Sequence, residues 1–114
     1  MLLTGDIVFP SGDRPDEAAR VVARVEEVSR ADSPAVTVAE QVREHIALPR
    51  GESRSLPFEI SVDPESIEPG LRYAVGVHVD VTGTGTVTSD DFVSTASHPL
   101  TFDVGGMAVE VRRV

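Results

Sequence analysis

The sequence predicts an all-β fold, a two-sheet antiparallel β-sandwich of about seven strands. Alternation is the first observation behind that expectation. Leu56, Phe58, Ile60 and Val62 hold even positions with Pro57, Glu59 and Ser61 between them. Tyr73, Val75, Val77, Val79 and Val81 hold odd positions opposite Ala74, Gly76, His78 and Asp80. A period of two places one set on the buried face of a pleated strand and the other in water. The second observation is that four of the five odd residues are valines, whose β-branched side chains suit a half-buried sheet. The third is that the segments between apolar runs are rich in Gly, Pro, Ser and Asp, the residues of turns.

Taken in order, residues 2–9 read as a strand with Leu3, Ile7 and Phe9 on one face, and Gly5 marks a bulge or a close backbone approach. Residues 10–16 are a turn-rich loop. Residues 18–28 fit a helical face through Ala18, Val21, Val22 and Val25. They also alternate through Ala19, Val21, Ala23 and Val25, and the valines decide for a strand. Residues 35–46 begin as a strand on Val36 and Val38 and loosen later, because Glu40 shares the parity of the valines and is costly to bury unpaired. Arg20 and Arg24, with Glu26, Glu40 and Glu44, read as exposed cross-strand charge pairs.

After the strand at 56–62, Asp63 is placed to cap one helical turn with Pro64 at its first position, and Ile67 to plug one end of the core. Pro69-Gly70 signals a type II turn before the strand at 73–81. Residues 82–86, TGTGT, read as a hairpin connection. Short strands follow at 92–95 and from His98 to Phe102. A Gly105-Gly106 turn leads into a last strand on Met107, Val109 and Val111. The architecture expected is immunoglobulin- or transthyretin-like, without the paired Cys or core Trp of immunoglobulin domains.

At 114 residues the chain makes one domain, 1–114, burying roughly two thirds of its unfolded surface. The formal net charge of −9 opposes nucleic acid and anionic membrane surfaces. All ten basic residues are Arg, for which the sequence supplies no functional reason. With no Cys there is no disulfide, thiolate metal site or Cys nucleophile. Residues 1–9 have neither the basic start nor the apolar core of a signal peptide, and no apolar run reaches the ~20 residues of a membrane span. The sequence as it stands therefore reads as cytoplasmic, and as cell-envelope if a leader has been removed.

Several stretches, in this order, resemble the YbaY and YscW family of small bacterial lipoproteins. They are Ser29 to Ala35 (SRADSPA), Leu56-Pro57-Phe58-Glu59-Ile60, Asp63-Pro64 with Ile67 and Pro69, Tyr73-Ala74-Val75, and His98-Pro99-Leu100-Thr101. The resemblance spans residues 3–101. It implies a β-sandwich and, for the branch that serves type III secretion as pilotins, binding and escorting of a secretin subunit or another envelope protein. The lipidated cysteine typical of that family has no counterpart among these residues.

Chemistry is sparse. His45, His78 and His98 are far apart and share no HxH or HExxH spacing, which opposes a common zinc site. Asp90 and Asp91, with Asp80 and Asp103, can gather at one loop end, but no DxDxDG loop for calcium is present. There is no GxSxG elbow and no phosphate-binding glycine loop. The reading is a non-catalytic protein- or peptide-binding domain without a cofactor. A structural or small-ligand-binding sandwich is the alternative, and a metal-dependent enzyme on the acidic loops the weakest. Partner contact is expected at a free sheet edge, either residues 2–9 or the last strand through Val109 and Val111. A second candidate is an apolar patch of Phe92, Leu100 and Phe102.

Overall fold

The computed structural model describes residues 2–10, 15–29, 36–48, 55–68, 70–84, 87, 89, 91–94, 98–99 and 107–114. Its strands are β1 (Leu2–Val8), β2 (Glu17–Glu27), β3 (Val36–Ala47), β4 (Ser55–Ser61), β5 (Tyr73–Asp80), β6 (Phe92–Ser94), β7 (His98–Pro99) and β8 (Met107–Arg113). The segment 18–28 is a strand, as its valines predict.

The expected pair of antiparallel sheets is not what forms. One mixed sheet runs in the order β3-β2-β5-β6-β8-β1-β4, with β7 paired to β5, and it curls into a nearly closed, barrel-like form. β8 makes the difference. Its first half, Met107 to Glu110, runs parallel to Gly5–Val8 of β1, and its second half, Val111 to Arg113, runs antiparallel to β6. One strand thereby joins two halves that a sandwich would keep apart. Alternation cannot distinguish the two architectures, because both have an inner and an outer face.

The inner face follows the sequence pattern. Ile7 and Phe9 from the N-terminal segment, Val21 and Val25 from β2, Ile60 from β4, Val75 and Val79 from β5, and Val109 and Val111 from β8 are buried in one cluster. Each such side chain is worth about 1.5–3 kcal/mol against exposure. Phe9 and Phe92 meet edge to face at 5.3 Å, and the Arg113 guanidinium lies 4.7 Å over the Phe92 ring. Gly5 is the close approach its sequence position signalled. A Cβ there would stand 2.5 Å from the Met107 carbonyl oxygen and 2.7 Å from the Phe58 ring. The glycine is what lets β8 and Phe58 pack on β1.

Between β4 and β5, Asp63 Oδ1 accepts the Glu65 N–H at 3.0 Å and caps the 3-10 turn Pro64–Ser66. Ile67 packs against the core, partly buried. Leu71 N–H then donates to Glu68 O at 3.3 Å, with Gly70 at φ +88°, the positive angle a type II turn requires at that position.

β3 stays a strand to its end, but with two irregularities. Its register against β2 shifts between Val25 and Glu26, so that both Val38 and Ala39 pack on the core. His45 adopts φ +53°, and beyond it Ile46 returns to the core. Between these points Glu40, Val42 and Glu44 face water. The burial cost of Glu40 is thus avoided by the bulge rather than by ending the strand. Arg20 sits opposite Glu44, with Nη2 3.7 Å from Oε1, and Arg24 sits opposite Glu40.

Candidate functional site

The two ends of the sheet, β3 and β4, come side by side without a backbone ladder between them. Side chains close the gap. Glu59 N–H donates to Gln41 Oε1 at 2.9 Å, and Arg43 Nη1 donates to Pro57 O at 3.0 Å. Gln41 and Arg43 lie opposite Ala23 and Val21, both buried, so the two polar residues take the inner-face parity of β3. On a strand with neighbours on both sides such residues would face the core. At the sheet's end they reach across the seam instead, one of the devices that keep an edge from pairing with foreign strands.

The backbone of β4 is turned accordingly. Pro57 O and Glu59 N–H point to the seam, so in the antiparallel pairing with β1 these residues occupy the non-hydrogen-bonded sites, and Leu56, Phe58 and Ile60 make the ladder. Pro57 loses nothing there, because its missing N–H would have faced the gap. A proline inside an alternating strand marks an edge. That signal was present in the sequence, and it points to β4 rather than to the first or last strand.

A second cluster lies beside the end of β5, where Asp91 meets it. His78 and Asp80, two residues apart, share one face of β5, and Asp91 precedes β6, whose Val93 pairs with His78. Ligand atoms of the three lie within 4.8 Å of one another. Asp91 is fully buried: Oδ1 accepts the Val81 N–H at 3.0 Å, and Oδ2 is 2.9 Å from His78 Nε2. Its own carbonyl accepts the Val114 N–H at 2.9 Å. Asp80, also buried, accepts the Gly83 N–H at 2.9 Å, and Gly83 sits at φ +81°. Both carboxylates are thus engaged by main-chain donors. The cluster works as a clamp that ties Gly83, Asp91 and Val114 to the end of β5.

The gathering of Asp80 and Asp91 at one loop end is as the sequence indicated, and His78 joins them from a position read as solvent-facing. Asp90 and Asp103 lie outside the described residues, and His45 sits away from the cluster, on β3.

The residues named for partner contact are placed differently from a surface patch. Val109, Val111 and Phe92 are buried, at 0%, 1% and 0% exposure. β1 and β8, the two strands at which a free edge was expected, are interior to the sheet. Leu100 and Phe102 lie outside the described residues. Alternating apolar residues serve the core first, and here they do so on both strands.

A curled mixed sheet of this size, joined by one strand and closed by side chains, defines a class of small all-β domain. It is similar to the structure of an alternative pilotin from the type II secretion system of Vibrio cholerae, with a TM-score of 0.76 and 22% identity. The match covers 100% of this chain and 96% of that one. The likeness is one of fold. The family model for the type III secretion system lipoprotein chaperone YscW matches residues 2–104, and the chain belongs to that family. No curated relative matches the chain. No helix among the described residues is long and apolar enough to cross a membrane.

Proposed function

We propose that this chain is a non-catalytic helper of a secretion machine, a pilotin-like domain that binds a protein or peptide segment of an envelope component such as a secretin. Membership of the lipoprotein-chaperone family over residues 2–104 carries the reading. The arrangement of the sheet supports it: the acidic cluster beside β5 is taken up by main-chain donors, and β3 and β4 stand at the two ends of the sheet, the places where a partner segment can be recognised. One domain of residues 1–114 acting at the cell envelope completes the proposal.

The test is capture with the purified, folded chain as bait from the detergent-solubilised envelope of its own organism, read by mass spectrometry and competed with untagged chain. Recovery of a secretin or another secretion component, lost on competition, is the expected result. A blank from a bait that melts cooperatively overturns the proposal.

A further inference from the structure

We propose that His78, Asp80 and Asp91 form a binding site for a divalent first-row transition ion, with Zn²⁺ as its probe. The site stands independently of the helper function proposed above, and its ion is structural rather than catalytic.

The cluster differs from a group of surface acids in three respects. One donor is an imidazole, so the set is one nitrogen and two oxygens, a mixture that suits zinc, manganese or cobalt better than calcium or magnesium. Both carboxylates are out of water, Asp80 at 1% and Asp91 at 0% exposure, where a charge is kept only against partners that repay its desolvation. The spacing also fits an ion. Ligands about 2.1 Å from a metal lie about 3.0–3.4 Å apart when adjacent and about 4.2 Å apart when opposite. His78 Nε2 and Asp91 Oδ2 are 2.9 Å apart, and one ligand atom from each of the three residues falls within 4.8 Å of the others. Small side-chain movements bring all three onto one centre.

The groups that would orient those ligands are in place. Val81 N–H binds Asp91 Oδ1 at 3.0 Å, and Gly83 N–H binds Asp80 Oδ1 at 2.9 Å. A carboxylate has about four lone-pair sites, so one main-chain bond aims it without exhausting it. Arg20, opposite Asp80 on β2, carries its guanidinium to Glu44. His78 is the least buried of the three, with 16% of its side chain exposed, and marks the side from which an ion enters. Binding exchanges the His78–Asp91 hydrogen bond for two bonds to the ion. The main-chain bonds of the clamp then hold the ligands, and the ion draws β5, Asp91 and, through the Asp91 carbonyl, Val114 together.

The test adds Zn²⁺ alone to the full chain after EDTA treatment and dialysis, and reads thermal melting together with the histidine ring signals by NMR. The melting temperature is expected to rise by several degrees and to saturate at one ion per chain, because an ion that binds only the folded state stabilises it. The His78 ring signals shift, and those of His45 and His98 stay. His78→Ala removes a ligand but neither main-chain bond, and is expected to weaken binding at least about tenfold. Where that variant does not fold, Asp80→Asn, which keeps an acceptor for the Gly83 N–H, gives the same loss. No rise in melting temperature at millimolar Zn²⁺, ring shifts at His45 or His98 in place of His78, or wild-type affinity in a folded His78→Ala or Asp80→Asn chain would overturn the site.

Discussion

Replacing Gly5 by Ala tests the junction that makes this sheet one. The added methyl would stand 2.5 Å from the Met107 carbonyl oxygen and 2.7 Å from Phe58 Cζ. Neither obstacle is the loose end of a flexible side chain. One is backbone of the parallel strand β8, and the other is a ring fixed in the core at 2% exposure. Relief requires β8 to move off β1 or Phe58 to leave its place. Overpacking of this kind costs about 1–3 kcal/mol, and the rigidity of both neighbours puts Gly5→Ala near the upper figure. Against a total stability of about 5–15 kcal/mol the loss is large. Urea unfolding followed by circular dichroism reads it as a midpoint lowered by about 1–2 M with an unchanged slope. Gly70→Ala is the control. Its methyl meets nothing within 4 Å, but its φ of +88° is strained for any L side chain, so its cost of about 1–2 kcal/mol is conformational alone. A Gly5→Ala protein within about 0.5 kcal/mol of the parent would refute the parallel β1–β8 contact, and with it the single sheet.

Other perturbations sort the core, the clamp and the seam. Asp91→Ala leaves the Val81 N–H and His78 Nε2 without the carboxylate they share. It is expected to cost about 3 kcal/mol by denaturant melts, with hydrogen exchange quickened at Val81 and Val114. Val109→Asp puts a carboxylate at a fully buried site, so it should unfold the chain by circular dichroism rather than merely block a partner. Gln41→Ala removes one seam bond at the surface and should lower stability by only about 0.5–1.5 kcal/mol while speeding exchange of the Glu59 amide. Arg20→Ala breaks an exposed pair and should change stability by less than about 1 kcal/mol.

Much of the local structure was legible because local rules governed it. The alternation of 56–62 and 73–81, the Asp63 cap and the turn at Gly70 each depend on neighbours within a few residues. Closure of the sheet was not legible. It depends on Met107 meeting Gly5 across almost the whole chain, and a buried face reads alike in a sandwich and in a barrel. The only local hint was Gly5 itself. β3 hid its path for a different reason. A bulge at Val38 and a positive φ at His45 each shift the face that side chains take, so a single parity could not describe the strand. The site was half visible. Asp80 and Asp91 were placed together, but His78 was assigned to solvent because its partner Asp91 lies outside any periodic stretch of the sequence. The seam was announced by Pro57, a residue that a strand with two neighbours rarely tolerates.

The role proposed for the chain is service to an envelope secretion component. The most direct measurement is the amount of that component assembled in the outer membrane of cells lacking this chain, compared with cells in which wild-type chain is restored. Assembly is expected to fall in its absence and to return with the wild type. Unchanged assembly, with the captured component present at normal levels, would contradict it.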